Sequence, residues 1–565
     1  MTSDDDKWNR LTAWMQDLSQ GQWKLEDQKV TFREVPDLVS VGAGRGLFAT
    51  QDIEPGSTIL TIPAVTLLHP RNIERADHQA QTAKAPSPLT VPYRMLPHSA
   101  INKRPGGTAM KQVETRITTT EALALYLSLN RPLATQTADS AYRPWAAYLD
   151  ALPVSFRPWH PLTWLVKPPS DDANHQDWDK MNDLAENYLP KTAYDKLQGV
   201  LERYKRHAAM LRNGVPMVLQ EEPEEKLERR WSQVTEEDLL WGWLNVNTRT
   251  LYLQLDMPPI PNTAYADRSV TGGRTRTEPD SEQQNHAMAP LLDLANHSHL
   301  HMENGYSEAD ADASRRPQLC AVHLVEESAT TSSKSGIKSD APPGWRKRTF
   351  EVSAPKNAGI KKGDEIVFAY GPHSDETLFA EYGFVPLEGE NPWNEVVVDD
   401  LINAAWQKRE TRTMVALKSE VLEMNGYLDE YTMHAYPSPP HPSYRLLTAL
   451  RLMYIQVPEA ALQKYIDNPT NKEVHPALQA FLELLMGALD KISDDNEKAV
   501  RDCIRNVCLE ALERIEQKLT ALQLLHQPRT FGDVADAIRM VERLWVDNQS
   551  IFHGVMQSID QGVIF

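Results

Sequence analysis

The sequence predicts an α+β chain in which a strand-rich part interrupted by helices is followed by an all-helical part. Three observations carry that expectation. Residues 39–63 (VSVGAGRGLFATQDIEPGSTILTIP) hold two alternating runs around the turn Glu54-Pro55-Gly56-Ser57, the period of two that marks strands. Residues 363–386 (GDEIVFAYGPHSDETLFAEYGFVP) read as a short apolar strand that ends at Tyr370-Gly371 and turns into a helix. From Pro392 onward the apolar period becomes that of long helices, at 411–426, 443–455, 477–489, 497–525 and 533–544.

At 565 residues the chain exceeds one ordinary core, so two or three domains are expected. Its 59 Lys and Arg against 78 Asp and Glu give a net charge of −19, which disfavours nonspecific binding to nucleic acid or anionic membrane and favours a basic protein partner. Cys320, Cys503 and Cys508 are its three cysteines. They read as free thiols, which excludes a disulfide framework or a cysteine-rich zinc cluster and fits a reducing compartment. The N-terminus MTSDDDKWNR lacks an apolar signal region, and no run approaches a membrane span, so a soluble protein of the cytoplasm or nucleus is expected.

Taken in order, residues 1–25 hold a helical segment at 8–18. The stretch 39–63 then reads as a hairpin or meander. Gly42, Gly44 and Gly46 fall at every second position before its first strand, where bare backbone can approach a ligand or simply make a turn. Residues 76–112 lose all apolar period and read as an insertion. Thr120 is a candidate cap for a helix carrying Leu123, Leu125, Leu127 and Leu129, and the aromatic, proline-rich run RPWAAYLDALPVSFRPWHPLTW after it reads as packed connection rather than chemistry. Helical patterns continue through 181–211, and Thr235-Glu236-Glu237-Asp238 resembles a capping box before a helix that buries Leu239, Leu240 and Trp243. Residues 262–286 and 307–344 are polar and aperiodic, two further insertions. Between them PLLDLANHS (290–298) brings Asn296, His297 and Ser298 to one point. Within the helical part, PSPPHP (437–442) reads as a rigid extended linker.

GRGLFATQDIEPGSTIL, then DLANHS, then GDEIVFAYGPHSDETLFAEYGF, with a helical stretch between the first two, resembles the SET-domain protein methyltransferases of the Rubisco large-subunit methyltransferase type. The resemblance implies a β-rich SET fold over 26–390 with a helical insert at about 113–250 and a pseudoknot at DLANHS, then a helical substrate-binding domain over 391–565. It implies S-adenosyl-L-methionine, held by Ala43, Gly44, Arg45, Asn296, His297 and Tyr370, with His297 acting structurally through backbone atoms. It implies Tyr370 as the catalytic tyrosine and Arg249, Leu251, Leu292, Asp293 and Tyr382 as substrate-binding residues. For Arg249 and Asp293 a fold-stabilising charge is the competing reading.

Methyl transfer from a sulfonium to an amine is an in-line displacement that needs positioning and electrostatics and no metal. Freeing a lysine amine at pH 7 costs on the order of 4–5 kcal/mol from a reference pKa near 10.4. The cofactor's positive charge and an apolar channel both push that pKa down. The actin-histidine branch of the resembled family has Asn where this chain has Leu251 and Trp where it has Leu292; aliphatic side chains leave an imidazole without its partner, so lysine is the expected acceptor. The expected function is lysine methylation of a non-histone protein, such as a ribosomal protein or translation factor, by a monomer. The alternatives are histidine methylation and a catalytically silent SET protein that binds a partner.

Overall fold

The computed structural model describes residues 4–34, 40–41, 44–70, 72–73, 76, 95–98, 113–116, 118–132, 144–169, 175–221, 225–252, 286–298, 321–325, 349–356, 358–386, 391–470, 473–525 and 534–563. Most of the sequence's polar insertions, together with Ala43 and Cys320, lie outside them. The chain divides into two compact units. The first comprises Met1–Asp37, Ala43–Asp172 and Gln198–Tyr370, the second Leu38–Gly42, Ala173–Leu197 and Gly371–Phe565.

The first unit is α+β with small sheets. Strand Arg45–Ala49 pairs antiparallel with Val30–Glu34, and Thr58–Pro63 pairs with Thr349–Ser353, which in turn pairs with Ala321–Val325. The two runs of 39–63 are therefore strands, but they do not make a hairpin with each other. Each is largely buried, with only Arg45 and Phe48 in the first and Thr58 and Thr61 in the second half-exposed, and each takes a partner distant in sequence. Within the insertions expected at 307–344 and 76–112 lie the strands Ala321–Val325 and Met95–His98, the latter paired with Val113–Arg116. Leu47, Ile59, Ile62, Phe350, Val352 and Ile366 are buried in this unit.

Helices fill the insert between these strands. Thr118, not Thr120, caps Thr119–Asn130, because Glu121 three residues on closes the capping box. Thr235 and Asp238 form the box expected for Glu236–Arg249. The two helices approach closely at Gly242, where an added Cβ would lie 2.5 Å from Ser128 Oγ and 2.6 Å from the Ala124 carbonyl.

The second unit is mainly helical. Asp399–Arg409, Arg412–Met424, Tyr444–Tyr454, Glu459–Asp467, Pro476–Leu485, Asp494–Leu525 and Ala535–Asp560 follow one another, the last reaching well beyond the expected 533–544. They bury a core that includes Ile402, Trp406, Val421, Leu422, Leu450, Phe481, Ile504 and Val555. A small sheet lies among them, in which Glu395–Val397 pairs with Thr432–His434 and the latter with His441–Pro442. The end of PSPPHP is thus an edge strand rather than only a linker, a place where proline's missing N–H costs no ladder bond. Cys503 and Cys508 are buried free thiols. Among the described residues no helix is long and apolar enough to cross a membrane, and no group of three or more His, Cys, Asp or Glu could hold a metal ion.

Candidate active site

The two strings singled out in the sequence meet in the first unit. Val367–Phe368 pairs in parallel with Asn296–His297, and the Ser298 N–H donates to the Phe368 carbonyl at 2.9 Å. This register carries Tyr370 against His297, with ring centroids 5.3 Å apart. The Tyr370 backbone N–H donates to His297 Nδ1 at 3.0 Å, which places the imidazole proton on Nε2. The His297 ring thus has a structural contact of its own, beside the backbone role expected for this residue. The Tyr370 hydroxyl donates to the Ala295 carbonyl at 2.9 Å. A hydroxyl has one proton and two lone pairs, so with that proton committed Tyr370 can offer a substrate only an acceptor.

Asn296 ties this pairing to the glycine loop. Its Nδ2 donates to the Arg45 carbonyl at 3.1 Å and to Glu365 Oε1 at 2.7 Å. Burial raises the Glu365 carboxyl, and the Asn296 hydrogen bond partly offsets it. Gly44 is exposed, with open space where a side chain would stand. Arg45 lies 5.4 Å over the Phe32 ring and donates from Nη2 to the Ala151 carbonyl at 2.9 Å. Ala43 lies outside the described residues.

The turn before Asn296 carries the acceptor candidates. Leu291 has φ 73 and ψ −50, a strained conformation for a branched residue that turns the chain into the short helix Leu292–Leu294. Leu292 is buried there, and Leu251 pairs across the strands with Ala287. Arg249 closes its helix and donates from Nη1 to the Asp293 carbonyl at 2.9 Å, lying 3.5 Å from Asp293 Oδ2. The Asp293 carboxylate is fully buried and accepts from the Tyr148 hydroxyl at 2.6 Å. Burial pushes the Asp293 carboxyl up, while Arg249 and Tyr148 pull it back.

Two buried atoms of this cluster, Asp293 Oδ1 and Arg249 Nε, have no hydrogen-bond partner among the described residues. An acceptor and a donor left over in one place suit a ligand that carries both an ammonium and a carboxylate, as the amino-acid end of S-adenosyl-L-methionine does. The residues present fit that group.

Thus Gly44, Arg45, Arg249, Leu251, Leu292, Asp293, Asn296, His297 and Tyr370 are all in the first unit. Tyr382 is in the second, in the helix Asp375–Tyr382, where its ring lies near His373 and Phe384 and burial raises its phenol. Tyr148 and Glu365 were missed. Tyr148 lies in the aromatic run that read as packing, and a one-dimensional pattern carries no sign of a partner 145 residues away.

Residues 409–552 match the Rubisco LSMT substrate-binding family model. The chain is thus similar to the Rubisco LSMT substrate-binding domain over those residues and to SET domain-containing proteins over about half its length. SET domain-containing protein 4 of Homo sapiens is 25% identical over 322 residues, 57% of this chain and 54% of that protein. The ribosomal lysine N-methyltransferase set11 of Schizosaccharomyces pombe is 22% identical over 320 residues, 56% of this chain and 59% of that protein. The chain spans about half the length of the curated relatives it matches. A crystal structure of the SET domain of LSMT bound to lysine and AdoHcy aligns over 99% of this chain and 94% of that one, at 17% identity and a TM-score of 0.47.

Proposed function

We propose that this chain is an S-adenosyl-L-methionine-dependent protein-lysine N-methyltransferase acting on a basic non-histone protein, with a ribosomal protein or translation factor as the substrate class. The observation that carries this reading is the pairing of Asn296–His297 with Val367–Phe368, which orients the Tyr370 hydroxyl. The relatives named above support it, one of them by its name as a ribosomal lysine methyltransferase. The net charge of −19 supports a basic substrate.

The bound cofactor supplies a methyl group on a cationic sulfur. Gly44, Arg45, Asn296 and His297, with Ala43, are assigned to hold it. Tyr370, its proton given to Ala295, accepts from an amine N–H and so points the nitrogen lone pair elsewhere, toward the methyl. Leu251 and Leu292 supply an apolar wall that favours the neutral amine over the ammonium. They leave an imidazole nitrogen without a partner, which favours lysine over histidine. Tyr382 as a pocket residue rests on the resemblance, as do residues 26–390 as the SET domain, 391–565 as the substrate-binding domain, a monomeric state and a cytoplasmic or nuclear location.

The test is incubation of the pure protein with a ribosomal protein fraction and tritiated cofactor, followed by mass spectrometry of the labelled peptide. Label on a lysine is expected, and Tyr370→Phe should lower the rate about tenfold or more. Label on an imidazole would replace lysine with histidine as acceptor. Calorimetry without cofactor binding would leave a SET-type binding protein.

A further inference from the structure

The short helix Ala146–Ala151 touches both halves of the candidate site. Tyr148 on it is 1% exposed and gives its hydroxyl to Asp293, on the segment that leads to Ala295 and Asn296. At its end the Ala151 carbonyl, one of the last-turn carbonyls without an intrahelical partner, receives the Arg45 guanidinium from the glycine loop. Resting on the methyl-transfer reading above, we propose that Tyr148 is a positioning residue: by fixing the Asp293 carboxylate it sets the 291–295 turn, whose last carbonyl orients the Tyr370 hydroxyl.

The geometry separates Tyr148 from Arg249. Arg249 makes its short bond, 2.9 Å, to the Asp293 main chain and stands 3.5 Å from the carboxylate, whereas Tyr148 reaches the carboxylate at 2.6 Å. A phenol-to-carboxylate bond of that length is charge-assisted and directional. The turn needs such a tether because Leu291 is held in an unfavourable backbone conformation, which persists only where its surroundings over-determine it. Burial and the negative Asp293 hold the Tyr148 phenol well above its ordinary value, so it stays a donor through neutral pH. Ala151, by contrast, meets Arg45 through main chain, so a change at the Tyr148 hydroxyl leaves that contact in place.

The test is Tyr148→Phe, which keeps the ring and deletes the hydroxyl, compared with Asp293→Asn and the double variant. Three readouts are taken: kcat for tritium transfer to the ribosomal protein fraction across pH, calorimetric Kd for S-adenosylhomocysteine, and urea unfolding without cofactor. Tyr148→Phe should lower kcat about tenfold or more and, because Asp293 Oδ1 is also offered to the cofactor's ammonium, weaken Kd by a smaller factor. Losing the donor also raises the Asp293 carboxyl, so the acidic limb of the rate profile should move to higher pH. In the Asp293→Asn background the substitution should cost nothing further. A wild-type kcat and acidic limb, or an equal loss in both backgrounds, would overturn the proposal. The unfolding cycle should show coupling of about fivefold or more in the unfolding constant; additivity there removes the tether itself. A wild-type protein that binds no cofactor sinks the methyl-transfer reading instead, and the unfolding cycle still decides whether Tyr148 holds Asp293.

Discussion

Glu376, at the start of the helix Asp375–Tyr382, is 6% exposed and accepts from Thr192 Oγ1 at 2.5 Å. Burial lifts its carboxyl from 4.5 to about 7, against the opposing pull of Thr192, Lys196 and Asn548, and Glu395 adds to the rise. Asp375 and Asp547 lie in the same unit, with Arg543 2.9 Å from Asp547; burial and the neighbouring Asp375 push the Asp547 carboxyl up as well. Between pH 4.5 and 7 the folded state therefore holds a proton on Glu376 that the unfolded chain has released. The stability this contributes is complete below the unfolded value and is lost as pH rises through about 7. At about 1.36 kcal/mol per pH unit the loss amounts to roughly 3 kcal/mol by pH 8. Glu376→Gln keeps the shape and an acceptor for Thr192 but cannot ionise, so its stability should lack this component. The assay is thermal and urea unfolding of both proteins from pH 5 to 8.5, following the transition of the helical unit. Asp547 titrates in both, so the difference isolates Glu376. The variant should gain on wild type as pH rises, by roughly 6–12 °C in Tm at pH 8. Parallel profiles across that range would refute the reasoning.

Other perturbations test the packing. Gly242→Ala should destabilise by about 1–3 kcal/mol in urea unfolding, because its new Cβ meets the Ala124 carbonyl, which cannot swing away as a side-chain tip can. Lys418 is 1% exposed, with Nζ 2.6 Å from Glu410 Oε1 and 2.8 Å from the Met453 carbonyl. Glu410→Gln leaves that cation buried without its counter-charge and should cost about 3–5 kcal/mol; an unchanged urea midpoint would show that Lys418 sheds its proton instead.

What the sequence by itself determined is local. Alternation marked the strands around Arg45–Ala49 and Thr58–Pro63, the Thr235–Asp238 box marked a helix start, and the long apolar periods marked the helices after Pro392. These are properties of side-chain period and capping, which neighbours in sequence decide. Motif order likewise marked Asn296, His297 and Tyr370 as belonging together. Tertiary structure alone decided the rest. It chose Val30–Glu34 and Thr349–Ser353 as strand partners over the adjacent run, and it drew the strand Ala321–Val325 from a stretch whose composition carries no period. It also turned the ring of His297 onto the Tyr370 backbone and brought Tyr148 to Asp293. Strand partners and buried donors are selected by which surfaces must be covered and which polar atoms must be satisfied once the chain is compact. That requirement joins residues far apart in the chain, and no period along it records the choice.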